Sequence, residues 1–314
     1  MYSHRYTCFS GIAHIVDHIE DLYHNQAENK DGFKILVNSR LNGPPHIGTL
    51  VNFMTGFALA ERLRKTYQKP AMVIVELLDN LSDSKFQRNR WIDGKEYCIM
   101  ESVGTNTAYA RYDQMFRDVL CEISSDFGIP FELRHYRDIM LLPSFRRSVL
   151  EVMKQAKYFS RQLQPSDGQL HIRIPCPVCG LMQKTPNGCS FERVGENEFR
   201  IWENCPEHGR HEVLFSDKND SIIGVNNTIR IFCRGLTLVD DDIAKNTLSI
   251  IINGYDWAGT WPLQIHYSGM LHLKRNVLPE ILYCPLVLDE RGFSFQKPIY
   301  REKKQICGLI MLRC

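Results

Sequence analysis

The chain has 314 residues, a formal charge of +2, 44% hydrophobic residues and 24% charged ones. Such a length and balance suit one large or two small globular domains with a substantial core, and exclude disordered, fibrous and low-complexity classes. The near-neutral charge also argues against a general DNA-binding protein, which would carry a broad basic field.

The opening "MYSHRYTCFSGIAHIVDHIED" lacks the continuous apolar core of a signal peptide, because His14, Asp17 and His18 interrupt it. No apolar run reaches the roughly 18 to 20 residues needed to span a bilayer. A cytoplasmic protein without a membrane partner is therefore expected. Its eleven cysteines read as reduced thiols plus one metal site, not as a disulfide framework.

In chain order, residues 34–38 are predicted as a buried strand and 49–67 as a helix with apolar positions at Leu50, Phe53, Met54, Phe57, Ala58, Ala60 and Leu63. "PAMVIVELLD" is a second strand, too apolar on both faces for a half-exposed edge. Residues 106–127 form a second helix, "IPFELRHY" a third strand, and 143–159 a third helix opened by proline. Alternating strands and helices of this kind predict an α/β fold, a Rossmann-like parallel sheet with helices on both faces.

Between residues 165 and 220 the pattern breaks into short polar segments with Gly, Pro and cysteine pairs. Beyond it "TIRIFCRGL" reads as another strand, "HLKRNVLPEILY" as a helix and "CPLVLDERGFSFQKPIY" as a hairpin. The domain reading is thus 1–164 for the first half of the catalytic fold, 165–220 for an insert and 221–314 for the second half.

"CPVCG" supplies Cys176 and Cys179, and "CPEHG" supplies Cys205 and His208. Two knuckles of two ligands each are the spacing of a zinc ribbon, and four protein ligands close a tetrahedron, so the ion is expected to be structural. Cys189, between the knuckles, has no partner at ligand spacing.

The stretch "ILVNSRLNGPPHIGTLVNFMTGFALAERLR" joins a strand to a helix through Pro44, Pro45, His46 and Gly48. A helix N-terminus after a buried parallel strand turns N–H groups and partial positive charge into the crevice at the sheet's carboxyl edge, a natural anion site. Gly48 would let a ligand approach the backbone, and His46 could reach a phosphate or ribose. The alternative is a plain turn capped by His46.

"PPHIGTL" in this setting resembles the HIGH signature of class I aminoacyl-tRNA synthetases, nearest to class I lysyl-tRNA synthetases. "LLDN", the Cys-rich insert and the hairpin "ERGFSFQKPIY", placed where a KMSKS loop belongs, are similar too. Thr49 replaces the second histidine, and only Lys297 remains in the second motif, so cations that would stabilise departing pyrophosphate are fewer. The 17 residues after Lys297 leave no room for an anticodon-reading domain. The chain looks most like the fungal arginine-containing cyclodipeptide synthases, which join amino acids from aminoacyl-tRNAs into diketopiperazines without ATP.

That resemblance implies arginyl-tRNA and a second aminoacyl-tRNA as partners. It also implies catalytic roles for His46 and for Asp240 and Asp241 in "VDDDIAKN", and contacts to substrate or the tRNA adenosine from Asn42, Gly48, Thr49, Asp79, Asp256 and Lys297. The family's DDxxE glutamate is replaced, Ala244 and Lys245 standing at the two registers. The aspartates are read as lying at a strand's end beside the crevice, with an acidic helix N-terminus as the alternative. Arg134, Arg137, Arg146 and Arg147 are expected tRNA contacts. Two other readings stay open: an ATP-using ligase that forms an aminoacyl adenylate, and a binding module without chemistry.

Overall fold

The computed structural model describes residues 26–41, 43–78, 89–99, 107–164, 167–183, 190–254, 260–275, 277–284 and 287. Its centre is a five-stranded sheet of β1 (Gly32–Arg40), β2 (Ala71–Leu78), β5 (Phe131–His135), β12 (Thr247–Gly254) and β13 (Glu280–Cys284). The strands are parallel throughout, in the order β13-β12-β1-β2-β5. The chain therefore starts in the middle, builds outward on one side, then returns to build outward on the other. This is the doubly wound order, and its switch point lies at the carboxyl ends of β1 and β12.

Helix α1 (Ile47–Tyr67) and helix α2 (Thr107–Phe127) cover one face. Ile35, Val37, Val73, Val75, Ile250 and Ile252 pack there against Phe53, Phe57, Phe116 and Leu120. At Gly56 an added Cβ would stand 2.9 Å from Val37 Cγ2, so α1 rides close to the central strand. The other face carries Leu36, Ile74 and Ile251 against Leu238 of α6 (Asn227–Lys245). Beyond them a second core forms among α3 (Tyr136–Leu141), α4 (Pro143–Lys154), α5 (Ala156–Leu163), α6 and α7 (Thr260–His272).

Three expectations are corrected here. "TIRIFCRGL" is helix, not strand: it lies in α6, where Ile229, Phe232, Cys233, Leu236 and Val239 face the second core at helical spacing. Asn226 caps it by accepting from Ile229 N at 2.9 Å. The third helix breaks at Gln155 (φ −113°, ψ 34°) into α4 and α5. "HLKRNVLPEILY" is not one helix, since α7 stops at His272, Lys274 takes φ 56°, and Glu280–Cys284 is a strand. The hairpin read as KMSKS-like lies outside the described residues.

The insert closes at its neck, where β6 (Ile172–Arg173) pairs with β11 (Gly224–Val225). It holds the antiparallel sheet of β8 (Ser190–Gly195), β9 (Glu198–Cys205) and β10 (Gly209–Ser216). It also recruits a hairpin from upstream: β3 (Asn89–Ile92) and β4 (Lys95–Ile99) extend through β7 (Leu181–Gln183). No described helix is long and apolar enough to cross a membrane.

His266 of α7 is 1% exposed, and neither ring nitrogen has a hydrogen-bond partner among the described residues. Its ring occupies the space a Cβ on Gly235 would need, at the α6–α7 contact. Burial lowers its pKa from 6.5 to about 4. The unfolded chain therefore binds the extra proton first, and stability complete above about pH 6.5 is lost as pH falls toward 4, up to about 3 kcal/mol. Urea titrations between these limits should show a shallower acid-side loss for His266→Leu. Equal slopes in the two proteins would rule this out.

Candidate functional site

At the switch point β1 runs into Leu41, whose N–H donates to Leu78 O at 3.2 Å. After the two prolines His46 takes an extended conformation (φ −114°, ψ 170°) as the N-cap of α1. Its carbonyl accepts from Leu50 N at 2.9 Å, but its side chain makes no capping bond. The imidazole is exposed and lies back over Gly48, where an added Cβ would stand 3.2 Å from its Cε1. Glycine at 48 thus makes room for the ring. Thr49 is buried. The first turn carries no acid, and the helix's positive pole opens toward the carboxyl edge of the sheet.

Asn42, Asp79, Asp256 and Lys297 lie outside the described residues. The aspartate run does not adjoin this crevice, and its placement is corrected. Asp240 and Asp241 sit near the C-terminus of α6, which leads directly into the amino end of β12. Asp242 accepts from Thr247 Oγ1 at 2.6 Å and from Ser249 N at 2.7 Å, and lies 3.6 Å from Lys34 Nζ. Thr247 and Ser249 pair with Gly32 and Lys34, which open β1. The acids and His46 therefore belong to opposite ends of β1, roughly 26 Å of strand apart at ~3.3 Å per residue. Asp240 instead lies 3.2 Å from Arg275. Carboxylates at a helix C-terminus oppose its dipole, and the Asp242 hydrogen bonds offset that cost. Burial lowers the Lys34 pKa, against the pull of Asp242.

Arg146 is corrected as well. It is 1% exposed and holds α4 to the insert by donating to Ser216 O at 2.6 Å and Ser221 O at 2.7 Å, with its guanidinium 4.3 Å over the Phe215 ring. It is not available to RNA. Arg134 donates twice to Glu132, each bond 2.7 Å, while Arg137 and Arg147 are exposed.

The four expected metal ligands do converge. Ligand atoms of Cys176, Cys179, Cys205 and His208 all lie within 4.8 Å of one another. Cys179 Sγ is 3.7 Å from Cys205 Sγ, and His208 Nδ1 is 3.8 Å from Cys176 Sγ and 3.6 Å from Cys205 Sγ. A tetrahedron of thiolates about 2.3 Å from zinc has edges of about 3.8 Å, so these separations fit that ion. Gly180 and Gly209 take the positive φ (69° and 74°) that closes each knuckle. Tyr97 of the recruited hairpin packs on the cluster.

No protein-family model and no curated protein matches the sequence. Among the solved structures similar to the chain are two synthetases. One is the tyrosyl-tRNA synthetase of Archaeoglobus fulgidus complexed with L-tyrosine: 13% identity, TM-score 0.43, 92% of this chain and 68% of that one. The other is the tryptophanyl-tRNA synthetase of Plasmodium falciparum: 11% identity, TM-score 0.37, 86% of this chain and 52% of that one. These likenesses are distant. The fold assignment stands on the strand order, not on them.

Sequence reading missed a buried ion pair behind the crevice. Glu76 of β2 and Arg234 of α6 meet at 2.5 Å with side chains 2% and 6% exposed. Glu76 pairs in register with Asn38 and Arg134, all three toward the carboxyl ends of their strands. Arg230, one turn before Arg234, is also drawn to Glu76, and burial lowers its pKa. The one signal available was a single acid inside the otherwise apolar "AMVIVELL".

Proposed function

We propose that the chain is an enzyme of aminoacyl-tRNA chemistry, a tRNA-dependent aminoacyltransferase that joins arginine and a second amino acid into a cyclic dipeptide. One observation carries the reading: the N-terminus of α1, without an acid in its first turn and with an exposed His46 over Gly48, at the switch point of a doubly wound sheet. The 3′ adenosine of an aminoacyl-tRNA would lie in that crevice. The α-amine of one aminoacyl group attacks the ester carbonyl of the other, an amide forms, the ester C–O bond breaks, and the departing ribose hydroxyl takes up a proton. The N–H groups of the first helical turn face charge developing on the carbonyl oxygen, and His46 is the described group suited to move the proton. Ring closure repeats the attack within the dipeptidyl ester and frees the second tRNA.

Asp240 and Asp241 no longer serve as base or as guanidinium holder. Glu76 and Glu132 are engaged by Arg234 and Arg134 and are not free to hold an arginyl guanidinium. The Cys/His cluster would hold a structural zinc, all four positions being filled by protein.

The test is to incubate the purified chain with arginyl-tRNA and mixed aminoacyl-tRNAs, without ATP, and follow diketopiperazines by mass spectrometry. His46→Ala should lower the rate about 100-fold or more, and Asp240→Ala should leave it near wild type. Amino-acid-dependent exchange of pyrophosphate into ATP would establish the adenylate-forming alternative, which the open positive pole also favours. Absence of both activities would overturn the reading.

A further inference from the structure

Away from the crevice, a cavity of ≈ 530 Å³ opens where α4 breaks into α5, lined by Lys154, Gln155, Lys157, Tyr158, Arg161 and Gln162. Three cations, two amides and a phenol line it, without an acid. The neighbouring Glu151 accepts from Gln155 Nε2 at 2.7 Å and lies 3.9 Å from Lys154 Nζ. Lys154 in turn donates to Asn197 Oδ1 of the insert at 2.7 Å, which fixes one end of the groove. Tyr158 forms a rigid wall, its hydroxyl donating to Ser268 O at 3.0 Å and its ring stacked on His272 at 3.5 Å.

Lys157 and Arg161 are exposed, and no other described side chain pairs with the Lys157 ammonium or the Arg161 guanidinium. They stand one helical turn apart, a spacing at which like charges repel. Gln155 is at once the C-cap of α4 and the N-cap of α5, so the two helix poles oppose each other there and the field of the groove comes from its side chains. Lys154 ends α4 while Lys157 and Arg161 lie one turn apart on α5, and all three line the one groove. Cations spread along a groove that runs from α5 past the end of α4 to Asn197 of the insert suit a chain of anions better than a single one.

We propose that this groove carries the phosphodiester backbone of an RNA strand. The choice of RNA among polyanions rests on the function proposed above, but the binding measurement does not require catalysis. Labelled tRNA transcript is titrated by anisotropy with the full chain and with Lys157→Gln/Arg161→Gln, at a series of salt concentrations. The double variant should bind at least about tenfold more weakly at low salt, and its slope of log affinity against log salt should shrink by about 1.4, or 0.7 per phosphate contact on a single strand. Circular dichroism checks that the variant is folded, as two exposed side chains require.

Unchanged affinity and slope would overturn the proposal. So would a groove in which ATP or inorganic phosphate shifts the Lys157 and Arg161 NMR signals while tRNA does not. Product formation with undiminished RNA binding by the double variant counts against the groove alone. Groove-dependent RNA binding without product counts against the proposed reaction alone.

Discussion

Cys176→Ser, or chelation of the wild-type protein, is expected to unfold the insert. Structural zinc in finger peptides is worth about 10–16 kcal/mol at neutral pH, and binding free energy there is folding free energy. Without the ion, the Cys179–Cys205 approach of 3.7 Å gathers thiols with little else to hold them. The loss should spread past the knuckles. Tyr97 brings the hairpin β3–β4 onto the cluster, and Arg146 ties α4 to Ser216 at the end of β10. Elemental analysis should find one zinc per chain and none in the variant, and limited proteolysis should cut between residues 176 and 216 only after chelation. A protein whose metal content, melting and cleavage pattern ignore chelator would refute this.

Glu76→Ala should be nearly as damaging, for a different reason. It strands the guanidinium of Arg234 between α6 and the sheet, 5% exposed, and takes from Arg230 the carboxylate that opposes its desolvation. Breaking a buried pair on one side costs about 3–5 kcal/mol, because the remaining charge is uncompensated. Removing both partners is much milder, since apolar replacements of similar volume are often neutral or stabilising. Glu76→Leu/Arg234→Met should therefore recover most of the loss in chemical denaturation. A single variant within about 1 kcal/mol of wild type, or a double variant no better than the single, would show that the pair is not buried as described.

The parts of the fold legible in sequence are those settled by local pattern. β1 and β2 are continuous apolar runs because a central parallel strand is covered on both faces, and α1 and α2 show helical spacing over 21 residues each. The convergence of Cys176, Cys179, Cys205 and His208 was legible because each knuckle is a self-contained turn. Failure came where long-range packing decided. "TIRIFCRGL" is rich in β-branched and aromatic residues, yet its contacts with α4 and α7 repeat every three or four residues, and Asn226 was the overlooked start signal. Misreading that one element moved Asp240 and Asp241 to the wrong end of β1. The partner of Glu76 lies on another element more than 150 residues away, and no spacing rule reaches it. Arg146 looked like a surface cation because its acceptors are backbone carbonyls, which every sequence has.

The winding of the sheet bears on synthesis. Gly32 pairs with Thr247, so the middle strand leaves the ribosome more than 200 residues before its second neighbour. At 5–20 residues per second this is a delay of about 10–40 s. Throughout it one side of β1 presents unpaired amides and carbonyls, a template for wrong pairing with another nascent chain. Production of the protein should thus depend on chaperone supply and slow, cool expression more than the stability of the finished fold would suggest.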